Sequence, residues 1–324
     1  MKFFNRLAVS LLASVLCAST LFAMPVDAKK TTKRRQPTQA ELAAAAALQA
    51  AIDERYNKEI ESNSWENWPA GPQVYAESAI VMEASTGTIL YSKAIDEQHY
   101  PASITKIMTA MLALKYGNMD DVVTITQENL NLEEGSQVCG FWAGDQVTMD
   151  QLLHCLLVYS GNDAAAAIAE HVGGSTDGFV EMMNSYAREL GCTGTHFTNP
   201  HGLQDENHYT TPYDIYLMLK EALNYPEFTQ ITQSGSYTVE YTHADGSSAS
   251  TTLLATDHYL TGEATPPKNV TILGGKTGTT DNAGNCLALL SQNAYGKPYI
   301  SIVMGAATKD ELYEQMSSLL QNIN

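Results

Sequence analysis

The hydrophobic period of this chain changes twice, and the order of those changes restricts its fold. Residues 78–82 and 88–91 are short apolar runs flanking Ala84-Ser85-Thr86-Gly87, the pattern of a β-hairpin. Helical spacing then takes over. An apolar helix opens at Pro101-Ala102-Ser103 and runs to Gly117, and short mixed segments follow at 122–125 and 138–142. Thr148-Met149-Asp150-Gln151 reads as a capping box before an apolar helix over 152–159. That helix breaks at Ser160-Gly161-Asn162, resumes over 163–172 and stops at Gly173-Gly174. Further helices are predicted over 179–190 and, opened by Pro212, over 213–223. From Tyr237 strands return, at 237–241, 270–273, 276–280, 286–291 and 299–305, before a closing helix at 310–320. Strands at both ends of a helical middle predict an α+β fold, an α/β sandwich. Its antiparallel sheet draws on both ends of the chain and is flanked by helices, with a helical subdomain beside it.

The first residues do not read as part of that fold. Lys2 and Arg6 precede an apolar run over 7–23, and Val26-Asp27-Ala28 offers small residues for a signal peptidase. Cleavage after Ala28 is the expectation, with retention as a membrane anchor the alternative. Bulky Leu16 before Cys17 argues against a lipid-modified cysteine. Five positive charges in residues 29–35 read as a solvated linker that could also make weak contact with anionic membrane or wall polymer. Thr38-Gln39-Ala40-Glu41 starts an alanine-rich helix through Leu48, Ile52 and Tyr56, a spacer because alanine buries little. The organisation expected is therefore signal peptide 1–28, linker and spacer 29–73, and one domain over 74–324. Acidic residues outnumber basic ones 36 to 18, which argues against a nucleic-acid partner. Cys139, Cys155, Cys192 and Cys286 have no metal-motif spacing, and both pairing and buried free thiols stay open.

Three motifs carry the chemistry. In Ser103-Ile104-Thr105-Lys106 the serine and lysine share one helix face, and a neutral lysine can take the serine proton. Burial and a second cation both push a lysine toward neutrality. Ser160 and Asn162, at an interrupted helix, can face a cleft. There Ser160 would relay a proton, and Asn162 would hold Lys106 and donate to a substrate amide. On a strand, Lys276 adds positive charge for a substrate carboxylate and Thr277 a hydroxyl. Gly278 permits close approach, and the N–H of Thr279 would join that of Ser103 as oxyanion donor.

This ordered triple resembles that of the low-molecular-weight penicillin-binding proteins, specifically the D-alanyl-D-alanine carboxypeptidases of the serine peptidase S11 family. Further blocks agree, among them Ser85-Thr86-Gly87, Asn199-Pro200-His201-Gly202-Leu203 and His208-Tyr209-Thr210-Thr211. The resemblance covers residue 74 to the C-terminus and implies a β-lactamase/transpeptidase-like fold. It implies Ser103, Lys106, Ser160 and Asn162 as catalytic residues, and Lys276, Thr277, Gly278 and Thr279 as substrate-binding ones. The implied partners are a peptidoglycan stem peptide ending in D-Ala-D-Ala and β-lactams as covalent inhibitors, with no cofactor or metal. The implied place is outside the cell, at the wall or membrane surface. Two departures stand out. Many members carry an extra β-rich domain and a C-terminal anchor after the last core helix; here neither is expected, and anchorage is expected from the N-terminus or not at all. Thr279 also stands where relatives often carry a ring. The alternatives are a β-lactamase, a zinc peptidase built on His201, His208 and Asp205, and a non-catalytic wall-binding protein.

Overall fold

The structure, a computed structural model, describes residues 38–323. The expected signal peptide and basic tail lie outside the described residues, as do the side chains of Leu48, Ile52 and Tyr56. Helix α1 (Gln39–Asn57) starts at the expected capping box. Thr38 N–H donates to Glu41 Oε2 at 2.6 Å, and Glu41 N–H donates to Thr38 Oγ1 at 3.2 Å.

The later elements are β1 (Ser78–Glu83), β2 (Ile89–Lys93), α2 (Lys106–Tyr116), β3 (Val122–Thr124), β4 (Gln146–Thr148), α3 (Met149–His154), α4 (Asn162–Gly173) and α5 (Thr176–Glu189). After them come α6 (Pro212–Ala222), α7 (Pro226–Thr232), β5 (Ser236–Thr242), β6 (Ser248–Leu254), α8 (His258–Thr261), β7 (Thr271–Thr280), β8 (Gly284–Gln292), β9 (Pro298–Ala306) and α9 (Lys309–Leu320). The main sheet has the order β2-β1-β9-β8-β7 and is antiparallel throughout. Its two ends of the chain meet where β1 pairs with β9, from Ser78↔Met304 to Glu83↔Tyr299.

Alternate strand residues face opposite sides, and here both sides are buried. Ile80, Met82, Leu290, Ile300 and Ile302 join the helical core, while Val81, Leu287, Leu289 and Val303 pack with Leu312, Met316 and Leu319 of α9. Helix α2 runs through the first of these cores, and every residue from Lys106 to Ala113 is buried. A helix apolar on all sides belongs inside, which fixes its first turn rigidly.

Two expectations need correction. The segments 270–273 and 276–280 form one strand, β7, whose register shifts between Ile272 and Gly274. Gly274 at φ +110° supplies the bulge that looks like a break in the sequence. The strand at 237–241 belongs to a separate sheet, β3-β4-β5-β6, so the helical subdomain carries strands of its own. The short mixed segment at 138–142 is loop. The four described cysteines are free and buried. Among the described residues no helix is long and apolar enough to cross a membrane.

Candidate active site

The turn before α2 sets the centre of the site. Ala102–Thr105 form a single 3₁₀ turn entered with Ala102 at φ +47°, and α2 starts at Lys106. Three residues on from Ser103, Lys106 is fully buried. Its Nζ lies 2.9 Å from Ser103 Oγ, 2.6 Å from Asn162 Oδ1 and 2.7 Å from the main-chain oxygen of His201. Burial holds the amine well below the ordinary lysine range, and the charge of Lys276 lowers it further against the opposing pull of Asp163.

Ser160 and Asn162 come from a break built into the backbone. After α3 the chain forms a π-helical turn, Cys155–Tyr159, and Ser160 then takes the left-handed conformation at φ 71°, ψ 32°. That geometry costs a non-glycine residue about 1–2 kcal/mol. Asn162 opens α4, and the loop before β4 is tied to it. Asn162 N–H donates to Gln137 O at 2.8 Å, while the N–H groups of Cys139 and Gly140 donate to Asp163 Oδ2 at 2.8 and 3.2 Å. These bonds hold residues 135–140 against the second motif.

Strand β7 closes the site. A Cβ on Gly278 would lie 2.8 Å from Pro101 O and 3.0 Å from Ser103 N, so only glycine lets the strand lie this close to the Ser103 turn. Lys276 is 1% exposed and donates to Ser160 Oγ at 2.9 Å and to Thr277 O at 3.0 Å. Burial pushes its amine down to about 7, an effect partly offset by Asp257. Thr277 Oγ1 meets Thr256 Oγ1 at 2.5 Å.

Six of the eight residues expected from sequence line one cleft of about 240 Å³: Ser103, Ser160, Asn162, Thr277, Gly278 and Thr279. The two lysines lie beneath it, each under one serine. No aspartate or glutamate is among the lining residues. Three contributors were not foreseen: the His201 carbonyl, Asp163 and Asp257. A main-chain oxygen leaves no mark in residue type. Asp163 and Asp257 could have been suspected only as acids beside a motif or before a short helix.

The residues of the zinc alternative are otherwise engaged. His201 Nδ1 accepts Leu203 N–H at 3.2 Å. His208 Nδ1 accepts Thr198 N–H at 3.1 Å, and its Nε2 lies 2.7 Å from Thr105 Oγ1. Among the described residues no group of three or more His, Cys, Asp or Glu has a metal-binding arrangement.

Residues 65–308 match the sequence model of Peptidase_S11, described as D-alanyl-D-alanine carboxypeptidase. The chain belongs to this family. Its S11 relatives include D-alanyl-D-alanine carboxypeptidase DacF of Bacillus subtilis (strain 168), 36% identical over 250 residues, and DacC of Escherichia coli (strain K12), 33% identical over 261. These alignments cover 76% and 77% of this chain but only 61% of each relative. The fold also matches the crystal structure of the Streptomyces K15 DD-transpeptidase with a TM-score of 0.73 at 29% identity. That match covers 78% of this chain and 98% of the other.

Proposed function

We propose that this S11 chain is a serine-type D-Ala-D-Ala carboxypeptidase that removes the terminal D-alanine of peptidoglycan stem peptides through an acyl-enzyme on Ser103. One arrangement carries the reading: the buried Lys106 amine lies 2.9 Å from Ser103 Oγ with two acceptors on its other sides. A neutral amine has two protons and one lone pair. The His201 carbonyl and Asn162 Oδ1 can only accept, so they take both protons and the lone pair is left for Ser103 Oγ–H. That is a general base oriented before substrate arrives.

In the cycle that follows, Lys106 takes the Ser103 proton as Oγ attacks the carbonyl between the two D-alanines. The oxyanion accepts from the N–H groups of Ser103 and Thr279. Ser160 hands its proton to the departing D-Ala amine and takes from Lys106 the one removed from Ser103, while Lys276, donating to Ser160 Oγ, holds that hydroxyl in place. Thr277 and Gly278 seat the substrate along β7, and water then releases the shortened stem. No step calls for a metal or organic cofactor.

A β-lactam would acylate Ser103 in the same way. The cleft lining supplies no carboxylate to activate a deacylating water, which favours a slowly released adduct over a β-lactamase. The remaining parts of the reading belong here too: a catalytic domain over 74–324, a linker and spacer over 29–73, and export by residues 1–28 to the wall or membrane surface. The basic tail would rest weakly on anionic membrane or wall polymer there.

Brief exposure to a fluorescent penicillin followed by mass spectrometry tests the central claim. The expected results are an adduct on Ser103 and release of D-alanine from a stem-peptide analogue. A penicillin adduct without D-alanine release would favour the non-catalytic reading, and neither product would reject the proposal.

A further inference from the structure

Beyond the cleft, on the loop whose first residues line it, stands a large side chain that the fold holds in solvent. Trp142 is 67% exposed. Its neighbours make it rigid. Trp142 N–H donates to Asp145 Oδ2 at 2.8 Å, and Asp145 N–H donates back to Trp142 O at 3.0 Å. One face of the indole stacks on His243 at 4.9 Å between centroids and 21° between planes. His243 is clamped in turn, its Nδ1 2.7 Å from Asp145 Oδ1, and Tyr241 meets its ring edge-on at 5.4 Å. Asp145 is 1% exposed, so a buried carboxylate holds both the main chain that carries the indole and the imidazole on which the indole stacks.

A buried acid and an exposed large ring are each informative, and here the first holds the turn and the imidazole that support the second. Packing does not explain the arrangement, because the outer indole face covers nothing. The surface it offers is a flat aromatic plane beside an imidazole. Among the described residues nothing bonds to His243 Nε2 or to the indole N–H. A plane flanked by hydrogen-bonding groups suits a pyranose ring, whose C–H face stacks on the indole while a hydroxyl bonds to the imidazole.

We propose that Trp142 and His243 form a subsite for the glycan strand to which the stem peptide is attached. This inference rests on the function proposed above. Distance supports the assignment. Gln137 lines the cleft, and Trp142 lies five residues further on, at most ~18 Å away along the chain. A stem of about four residues between the scissile bond and its sugar spans at most ~14 Å. A sugar on the platform and a scissile bond in the cleft are therefore separated by spans of the same order.

The test compares two substrates on the full chain. One is a soluble pentapeptide ending in D-Ala-D-Ala, and the other is un-cross-linked polymeric glycan carrying the same stems. Trp142→Ala should raise KM about tenfold on the polymer, the typical loss for an aromatic anchor, and leave the soluble peptide unchanged. Trp142→Phe should recover most of the difference. N-acetylglucosamine oligomers should shift the NMR signal of the Trp142 indole N–H in the parent. Equal losses on both substrates would mean a structural role. No effect on the polymer with no indole shift, or a change of oligomeric state in Trp142→Ala, would overturn the subsite as well. If the parent releases D-alanine from neither substrate, the reaction reading has failed, and the indole shift alone then decides the platform.

Discussion

Gly202 offers the sharpest test of the idea that a loop, and not only the motif helices, orients the base. It sits at φ +87°, and a Cβ there would lie 1.9 Å from Ala102 O, 2.4 Å from Ala102 C and 2.8 Å from Thr105 Oγ1. Two of these atoms are backbone of the nucleophile turn and have no rotamer to change. To reach even 3.0 Å, the shortest separation real Cβ atoms show, the loop must retreat by about 1.1 Å. His201, one residue earlier, would move with it and stretch its 2.7 Å bond to Lys106 Nζ beyond hydrogen-bonding range. Left-handed strain of about 1–2 kcal/mol and overpacking of about 1–3 kcal/mol give a stability loss of about 2–5 kcal/mol in Gly202→Ala. For a domain of this size that lowers Tm by roughly 4–20 °C. A base displaced by about 1 Å should slow acylation about 100-fold. Thermal unfolding and stopped-flow acylation by a fluorescent penicillin read the two effects separately. A Gly202→Ala protein with parental acylation kinetics would refute the role given to the His201 carbonyl.

Three further outcomes are expected. Lys106→Ala should slow Ser103 acylation by about 10²–10⁴-fold, the usual contribution of a positioned base, and a rate within a few-fold of the parent would remove Lys106 from that role. Lys276→Met removes a cation that lowers Lys106, so Lys106 should hold its proton to higher pH and the acid limb of the acylation profile should move upward. In the parent the alkaline limb should begin near pH 7, where Lys276 loses its charge, and limbs unmoved by the substitution would contradict the coupling. His208 is 1% exposed and is lowered from 6.5 to about 4, chiefly by burial. The unfolded chain therefore binds a proton that the folded chain refuses, and stability present above pH 6.5 is lost as pH falls toward 4. The loss should reach about 3 kcal/mol. His208→Asn should flatten that part of the Tm–pH curve, and an unchanged slope would count against it.

Much of the site was legible because its chemistry demands particular side chains at particular spacings. Ser103 and Lys106 stand one helical turn apart, Ser160 and Asn162 flank a break that glycine marks, and Lys276 begins a triplet on a strand. What escaped was carried by backbone or by partners distant in sequence. The His201 oxygen reaches Lys106 across 95 positions, and any residue would provide a carbonyl there. Strand β6 has the sequence SASTTLL, mostly small and polar, and it holds its place through pairing with β5, including a 2.9 Å contact between Thr238 and Thr252 hydroxyls. The bulge at Gly274 split β7 into two apparent strands because a register shift interrupts the alternation by which strands are recognised. Lys93 would pass for a surface residue, yet it is fully buried with its Nζ 2.8 Å from Val74 O.

The charge arrangement beneath the cleft accounts for the different parts the proposed cycle gives its two lysines, one as base and one as cation. Both amines are buried and both are lowered, so burial alone would neutralise the pair. The difference lies in what each faces. Asp257, 4% exposed and bonded through Oδ1 to Tyr259 N–H at 3.0 Å, favours the charged form of Lys276. Lys276 then acts against a proton on Lys106, and the nearby Asp163 only partly offsets it. Of the two, Lys276, under Ser160, therefore keeps its charge more readily, and Lys106, under Ser103, is the readier to offer a lone pair. That division matches the proposed cycle, in which one serine must lose a proton and the other must hand one on. It also separates local from global electrostatics. A chain of net charge −18 repels an anionic stem at long range, while a cleft without carboxylates, underlain by one buried cation, attracts it at short range.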